Sequence, residues 1–266
     1  MTALASRLTD AAAGAAEAAF DAVARVRHRK PLHPRGVVVR ARVERTGTTA
    51  PLGAAWLDET ATVEGVARFS RSAGLPDGWP DVWGLAMRLD LADGSGGVAD
   101  LLLSTAWAGP IGRHALALRR GPRAPFSAVL PYRTSSGLSV LLGALGDATP
   151  RPSERAALAA ALTREPLCLT LAVASGSGPW RPYGTVVLGG SALGSGDGLD
   201  DTGEDVEVSF DPVLHPLPGL RLPEPLAAIR ARAYAGARRG RHADPAALGA
   251  HAGEVASAAA GRGLPR

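Results

Sequence analysis

The residues best suited to chemistry stand near the C-terminus. A helix is expected over 226–239, and continued to the next basic residue it places Arg230, Tyr234, Ala237 and Arg241 in one narrow stripe at about 100° per residue. Guanidinium donors one turn from a phenol favour the phenolate over the neutral form, whose ordinary pKa is about 10. A phenolate is a hard anion suited to ferric iron, haem iron included, and Ala237 is small enough for a flat ligand to approach the helix. By spacing alone the same stripe also fits a packed tyrosine between solvated arginines. A nucleic-acid reading of Arg238, Arg239 and Arg241 lacks the interleaved aromatic residues on which bases stack. Elsewhere, the Gly-rich run over 189–196 lacks the Gly-Lys-Ser/Thr end and the following helix of a phosphate cradle, so it reads as a loop. No Ser-His-Asp or metal-carboxylate spacing stands out.

Hydrophobic periodicity supplies the elements that must position these residues. Leu4, Leu8, Ala11, Ala15, Ala18 and Val23 predict an amphipathic N-terminal helix over 3–27. Strand-like runs follow at 36–44, 61–70, 84–91, 99–104 and 114–118, separated by Gly, Pro and Asp turns. A helix is expected over 151–164, then strands at 168–174 and 184–188, a mobile loop over 189–205, a strand at 206–210, a proline-rich connector over 211–225 and the C-terminal helix. Short strands at this spacing indicate an antiparallel sheet or barrel, so the fold class is α+β, an antiparallel β-barrel core with flanking helices.

Composition bounds the alternatives. With 266 residues, 46% hydrophobic and 20% charged, the chain suits one large domain or two small ones, and its apolar stretches fall well short of a membrane-spanning helix. Of 29 basic residues only Lys30 is a lysine; a pI near 9.9 at a net charge of +4 reflects arginine's high pKa more than a nucleic-acid surface. Cys168 is the only cysteine, which excludes an internal disulfide and a multi-cysteine zinc site. No signal peptide is read in the Ala-rich, acid-containing N-terminus, and a cytoplasmic location is the default expectation.

A family resemblance joins these pieces. Arg230-Ala231-Arg232-Ala233-Tyr234, followed by Arg239 and Arg241, resembles the proximal signature of catalases. Glu207-Val208-Ser209-Phe210-Asp211-Pro212 and the proline-rich stretch after it resemble the run leading into that helix, and Trp180-Arg181-Pro182 resembles an upstream Trp-Pro segment. Lys30-Pro31-Leu32-His33-Pro34-Arg35-Gly36 is similar to the stretch that carries the distal histidine. Val66-Ala67-Arg68-Phe69-Ser70, DVWGLAMRL over 81–89 and Asp100-Leu101-Leu102 are similar to three further catalase segments, in the family's order. The ordered set covers roughly 31–241 and implies a minimal catalase-like barrel core.

The resemblance implies one domain over 1–266: an N-terminal helix over 1–29, a barrel with a helical insertion over 30–188, a flexible loop over 189–205, the connector and proximal helix over 206–241, and a tail over 242–266. It implies haem b as cofactor, Tyr234 as the axial iron ligand on the C-terminal helix, and Arg230 stabilising the phenolate. His33 would be the distal general base and acid, and Ser70 would fix its tautomer. Arg68, Arg241 and Lys30 would pair with the haem propionates. The family's distal asparagine is not matched: the chain offers Ser104 or Thr105, and a hydroxyl lacks the combined donor and acceptor of an amide. The following aromatic residues are unmatched too, with Trp107 as a substitute. The expected activity is therefore a haem-dependent oxidoreductase acting on hydrogen peroxide or organic hydroperoxides, peroxidase-like in preference to fast dismutation. The partner is a small-molecule peroxide, with no nucleic acid or membrane, and a homo-oligomer is compatible with the family. The alternatives are a non-catalytic haem-binding protein and a haem-less catalase-fold binding protein.

Overall fold

A computed structural model describes residues 36–91, 97–146, 149–189 and 210–223. The expected helices over 3–27 and 226–239, and nearly all of the loop over 189–205 and the strand at 206–210, lie outside these residues.

Strand β1, Gly36–Thr46, shows how the sequence builds the sheet. Val37, Val39, Ala41 and Val43 are buried while Arg40, Arg42 and Glu44 are exposed, the period of two that puts alternate side chains on opposite faces. The same alternation runs along β2 (Thr60–Arg71), β3 (Trp83–Asp90) and much of β4 (Val98–Thr105). Two short strands follow, β5 (Phe126–Ser127) and β6 (Tyr132–Thr134), then β7 (Ser139–Leu145), β8 (Leu167–Ser175), β9 (Arg181–Leu188) and β10 (Leu220–Arg221). Helix α1 is the single turn Ala55–Asp58, and α2 is Arg155–Arg164.

All pairings are antiparallel. The order β7-β5-β4-β3-β2-β1-β9-β8 closes on itself through β7 and β8, giving an eight-stranded barrel, while β6 and β10 extend one rim. Val37, Phe69, Leu85, Met87, Leu101, Phe126 and Leu142 are among the buried residues that fill the interior, as expected for a barrel of this strand number. The antiparallel barrel expected from the strand spacing is thus the observed architecture.

Two local expectations differ. The run 114–118 is not a strand: Gly112–His114 forms a 3-10 turn, and only the isolated bridge Ala106↔Leu116 and the Ala117 N–H to Thr105 carbonyl bond (2.8 Å) tie the segment to the end of β4. The second helix starts four residues later than expected, at Arg155, with the residues from Pro152 to Glu154 forming its approach in non-helical conformations.

Candidate functional site

Because β1, β2, β3 and β4 pair in strict register, residues far apart in sequence line up across the outer face. One row runs Gly36, Ser70, Gly84, Ser104, Ser127 and Gly143, each paired with the next. Every member is glycine or serine. The row behind it, across β1 to β4, is Val38, Arg68, Ala86 and Leu102. These residues face away from the core, and from Val38 through Ser104 they are half-buried among the described residues. Three strand spacings from β1 to β4 make the glycine and serine row a shelf about 14 Å wide, lower in relief than the row of Val38, Arg68, Ala86 and Leu102 behind it.

Close neighbours stand over two of the shelf's glycines. A Cβ at Gly36 would lie 2.8 Å from Arg68 Nε and 3.0 Å from its Cζ, so the Arg68 guanidinium lies over β1 in the space that a side chain at 36 would take. A Cβ at Gly84 would lie 3.1 Å from Ser70 Oγ. Ser70 and Ser104 flank Gly84 on either side, about 10 Å apart by strand spacing. Neither hydroxyl hydrogen-bonds to another described residue, whereas Ser127 Oγ accepts the Val129 N–H at 3.0 Å. Val129 takes φ +63, a strained value for a β-branched residue, and its carbonyl accepts from His114 Nδ1 at 3.3 Å. The His114 imidazole is held below its ordinary pKa by burial and by the nearby Arg113 charge.

Of the sequence-predicted site residues, the structure therefore brings Arg68, Ser70 and Ser104 onto one face. Lys30, His33, Arg230, Tyr234 and Arg241 lie outside the described residues. Trp107 does not stand on the shelf: it is 53% exposed beyond the end of β4, with the Arg119 guanidinium 4.7 Å from its ring centre.

A buried clamp, unseen in the sequence, fixes the connector to the same side of the barrel. Asp100 is fully buried on β4; its carboxylate accepts from Arg88 Nε at 2.8 Å and Arg88 Nη2 at 2.6 Å, and also from the Asp211 N–H at 2.6 Å. Asp211 in turn accepts the Val213 and Leu214 N–H groups through Oδ1, and the Arg88 guanidinium lies 5.7 Å from the Phe210 ring centre. The Asp100-Leu101-Leu102 and Phe210-Asp211-Pro212 motifs, 111 residues apart at the acids, are thus one structural unit. Past the clamp, Trp56 N–H donates to the Pro218 carbonyl and β10 pairs with β6, so the segment Phe210 to Leu222 is fastened at three places before the chain continues toward Tyr234.

The residues present suit a large flat anion. The glycine and serine floor gives face-to-face contact, Arg68 supplies a cation at one edge, and the Ser70 and Ser104 hydroxyls in the floor make no hydrogen bond to another described residue. Among the described residues no group of three His, Cys, Asp or Glu side chains could hold a bare metal ion, and no helix is long and apolar enough to cross a membrane.

No family model and no curated protein matches the sequence. Solved structures do match the fold. A fungal catalase superposes with a TM-score of 0.50 at 13% identity, covering 79% of this chain and 59% of its own, and catalase A from Saccharomyces cerevisiae with a TM-score of 0.54 at 14% identity, covering 83% and 63%. The chain thus spans about three fifths of the length of each catalase. Its closed antiparallel barrel has the catalase-like fold.

Proposed function

We propose that the chain is a haem-dependent oxidoreductase acting on hydrogen peroxide or organic hydroperoxides, with peroxidase-like turnover in preference to fast dismutation. The observation that carries this reading is the small-residue shelf on the outer barrel face with Arg68, Ser70 and Ser104 beside it, on a fold shared with two catalases. Haem b would rest against the shelf, with Arg68, Lys30 and Arg241 neutralising its propionates and Tyr234 donating its phenolate oxygen to the iron. Arg230, four residues before Tyr234 in the sequence, would favour the deprotonated phenol. When bound, the haem supplies the redox-active iron at which a peroxide O–O bond is broken.

The chain's own groups manage the proton. His33 precedes Gly36, the first residue of the shelf, by three positions in the sequence. The unprotonated ring nitrogen of His33 takes the proton from the peroxide hydroxyl and returns it to the departing oxygen, so that water leaves in place of hydroxide. Ser70 Oγ holds the other ring nitrogen and thereby the tautomer. Ser104 offers one hydroxyl to orient the substrate, where an amide would both donate and accept. Weaker orientation of this kind lowers rate steeply, on the order of a hundredfold. That loss is the reason for favouring peroxidase-like turnover over dismutation.

The test is reconstitution of the full chain with haem, followed by its absorption spectrum and peroxide turnover. Stoichiometric uptake with turnover above that of free haem is expected. Tyr234→Phe should alter the spectrum and weaken uptake, and His33→Ala should retain haem but lose turnover. Stoichiometric uptake without turnover would identify a haem-binding protein instead, and no Soret band would identify a haem-less binding protein on the same fold.

A further inference from the structure

A cleft of about 300 Å³ opens at the barrel rim beyond β4, lined by Pro80, Leu118, Arg119, Arg120, Gly121, Arg123 and Pro150. It lies at the same rim as the Ser70, Gly84 and Ser104 row but is built by a different segment, Arg119-Arg120-Gly121-Pro122-Arg123. We propose that this cleft binds the phosphate group of a small organic phosphate monoester.

The charge balance points to an anion. Three guanidiniums belong to five consecutive residues, and none forms an ion pair with a described carboxylate; the ion pairs in which both partners are described use Arg42, Arg71, Arg88 and Arg151. Asp81 is the acid tied most directly to this loop, by the backbone bridge Asp81↔Arg119. Its carboxylate is committed elsewhere, accepting the N–H groups of Ala73, Leu75 and Val82. Arg119 Nε is buried without a hydrogen-bond partner, and its terminal nitrogens reach only the Leu118 and Ala106 carbonyls at 3.2 and 3.4 Å. Burial, and after it the Arg123 charge, lowers the Arg119 pKa.

The loop is also held in shape. A Cβ at Gly121 would come within 1.8 Å of the Arg151 carbonyl oxygen, so only glycine permits this approach. Gly121 and Pro122 are buried, and the Arg151 N–H points to the Pro122 carbonyl at 3.4 Å. Trp107 stacks on Arg119 at 4.7 Å and restrains its plane. Guanidinium forks match phosphate oxygens bidentately, and a dianion balances more of this charge than a carboxylate does. The volume is at the lower end of ligand pockets, and the apolar surfaces of Pro80, Leu118 and Pro150 suit an organic substituent.

The inference does not depend on haem. Calorimetric titration of the full chain with phenyl phosphate, inorganic phosphate and benzoate tests it. Phenyl phosphate is expected to bind about tenfold more tightly than either of the others, and more weakly as salt rises. Arg120→Gln with Arg123→Gln should weaken it by about tenfold or more, while the double lysine variant retains part of the affinity. Both positions lie on the surface loop, and an unchanged circular dichroism spectrum confirms that the variants fold. Benzoate binding as tightly as phenyl phosphate, binding of inorganic phosphate alone, or undiminished affinity in the double glutamine variant would each overturn the proposal.

Discussion

Replacing Asp100 by alanine tests whether the buried clamp holds the connector in place. The change removes an acceptor of three hydrogen bonds, two from Arg88 and one from the Asp211 N–H. Breaking a buried ion pair by deleting one partner costs about 3–5 kcal/mol. The Arg88 side chain retains 11% exposure, so its guanidinium can tilt toward water and the lower end, about 3 kcal/mol, applies. The Asp211 N–H, left without its acceptor, adds about 1 kcal/mol. A loss of about 4 kcal/mol is therefore expected, a large share of the 5–15 kcal/mol that stabilises a typical domain. Urea unfolding measures it by linear extrapolation. Hydrogen exchange localises it: the Asp211, Val213, Leu214 and His215 amides should exchange faster while β1 and β2 amides keep their rank order. The double variant Arg88→Met with Asp100→Leu removes both charges and should lose much less than Asp100→Ala alone. A single variant within about 0.5 kcal/mol of the parent, with unchanged exchange over 210–215, would refute the clamp.

Two further outcomes follow from the same geometry. Gly84→Val fills the floor of the shelf, and since the contact it creates is with the rotatable Ser70 hydroxyl the fold should survive while haem affinity falls by about tenfold or more; equal haem titrations of parent and variant would remove the shelf as the docking surface. Burial would raise the Asp58 pKa, but bonds from the Leu52, Ala54 and Gly53 N–H groups and the Thr48 hydroxyl overcome it and leave the value lowered. Its stabilisation is thus complete above the unfolded carboxylate value of about 3.9 and is lost as pH falls through the lower folded value. Asp58→Asn should flatten the acid limb of a stability profile below about pH 4 and leave the neutral-to-alkaline limb parallel to the parent.

The parts of the fold legible in the sequence were those with one face in the core and one in solvent. β1, β2, β3, β8 and β9 alternate or carry β-branched runs, and their positions were read to within a few residues. β5, β6 and β7 were not seen. β5 and β6 have two and three residues, too few for a period, and β7 is buried on both faces because Trp180 packs over Gly143 from outside. The apparent strand at 114–118 has the right alternation but bends into a 3-10 turn, where the buried Arg113 bonds the Gly176 and Gly178 carbonyls across the chain. Such long-range demands leave no local trace. The Arg88, Asp100 and Asp211 clamp is a similar case: each acid sat in a recognised motif, yet their contact depends on barrel closure. The run from Arg119 to Arg123 was not singled out in the sequence, because only coordinates show that no described carboxylate pairs with it.

The barrel's filled interior decides where any cofactor can go. Leu85, Met87, Leu89 and Leu101 are each fully buried, with Phe69 and Phe126 tilted against one another at 6.4 Å, so the lumen has no space for a macrocycle. A flat ligand must lie outside, and on the outer face the glycine and serine row is lower in relief than the row behind it. Among the described residues the glycine and serine row and the row behind it supply a floor and the Arg68 cation but no His, Tyr, Cys, Asp or Glu; in the sequence His33 precedes the first strand by three residues and Tyr234 follows the connector. Under the proposed function, docking and chemistry are therefore separable. Altering the floor at Gly84 should change affinity with little effect on turnover per bound haem, whereas altering His33 should do the reverse. A Gly84→Val protein that binds haem normally yet turns over slowly would mean that the shelf orients the substrate and that the haem lies elsewhere.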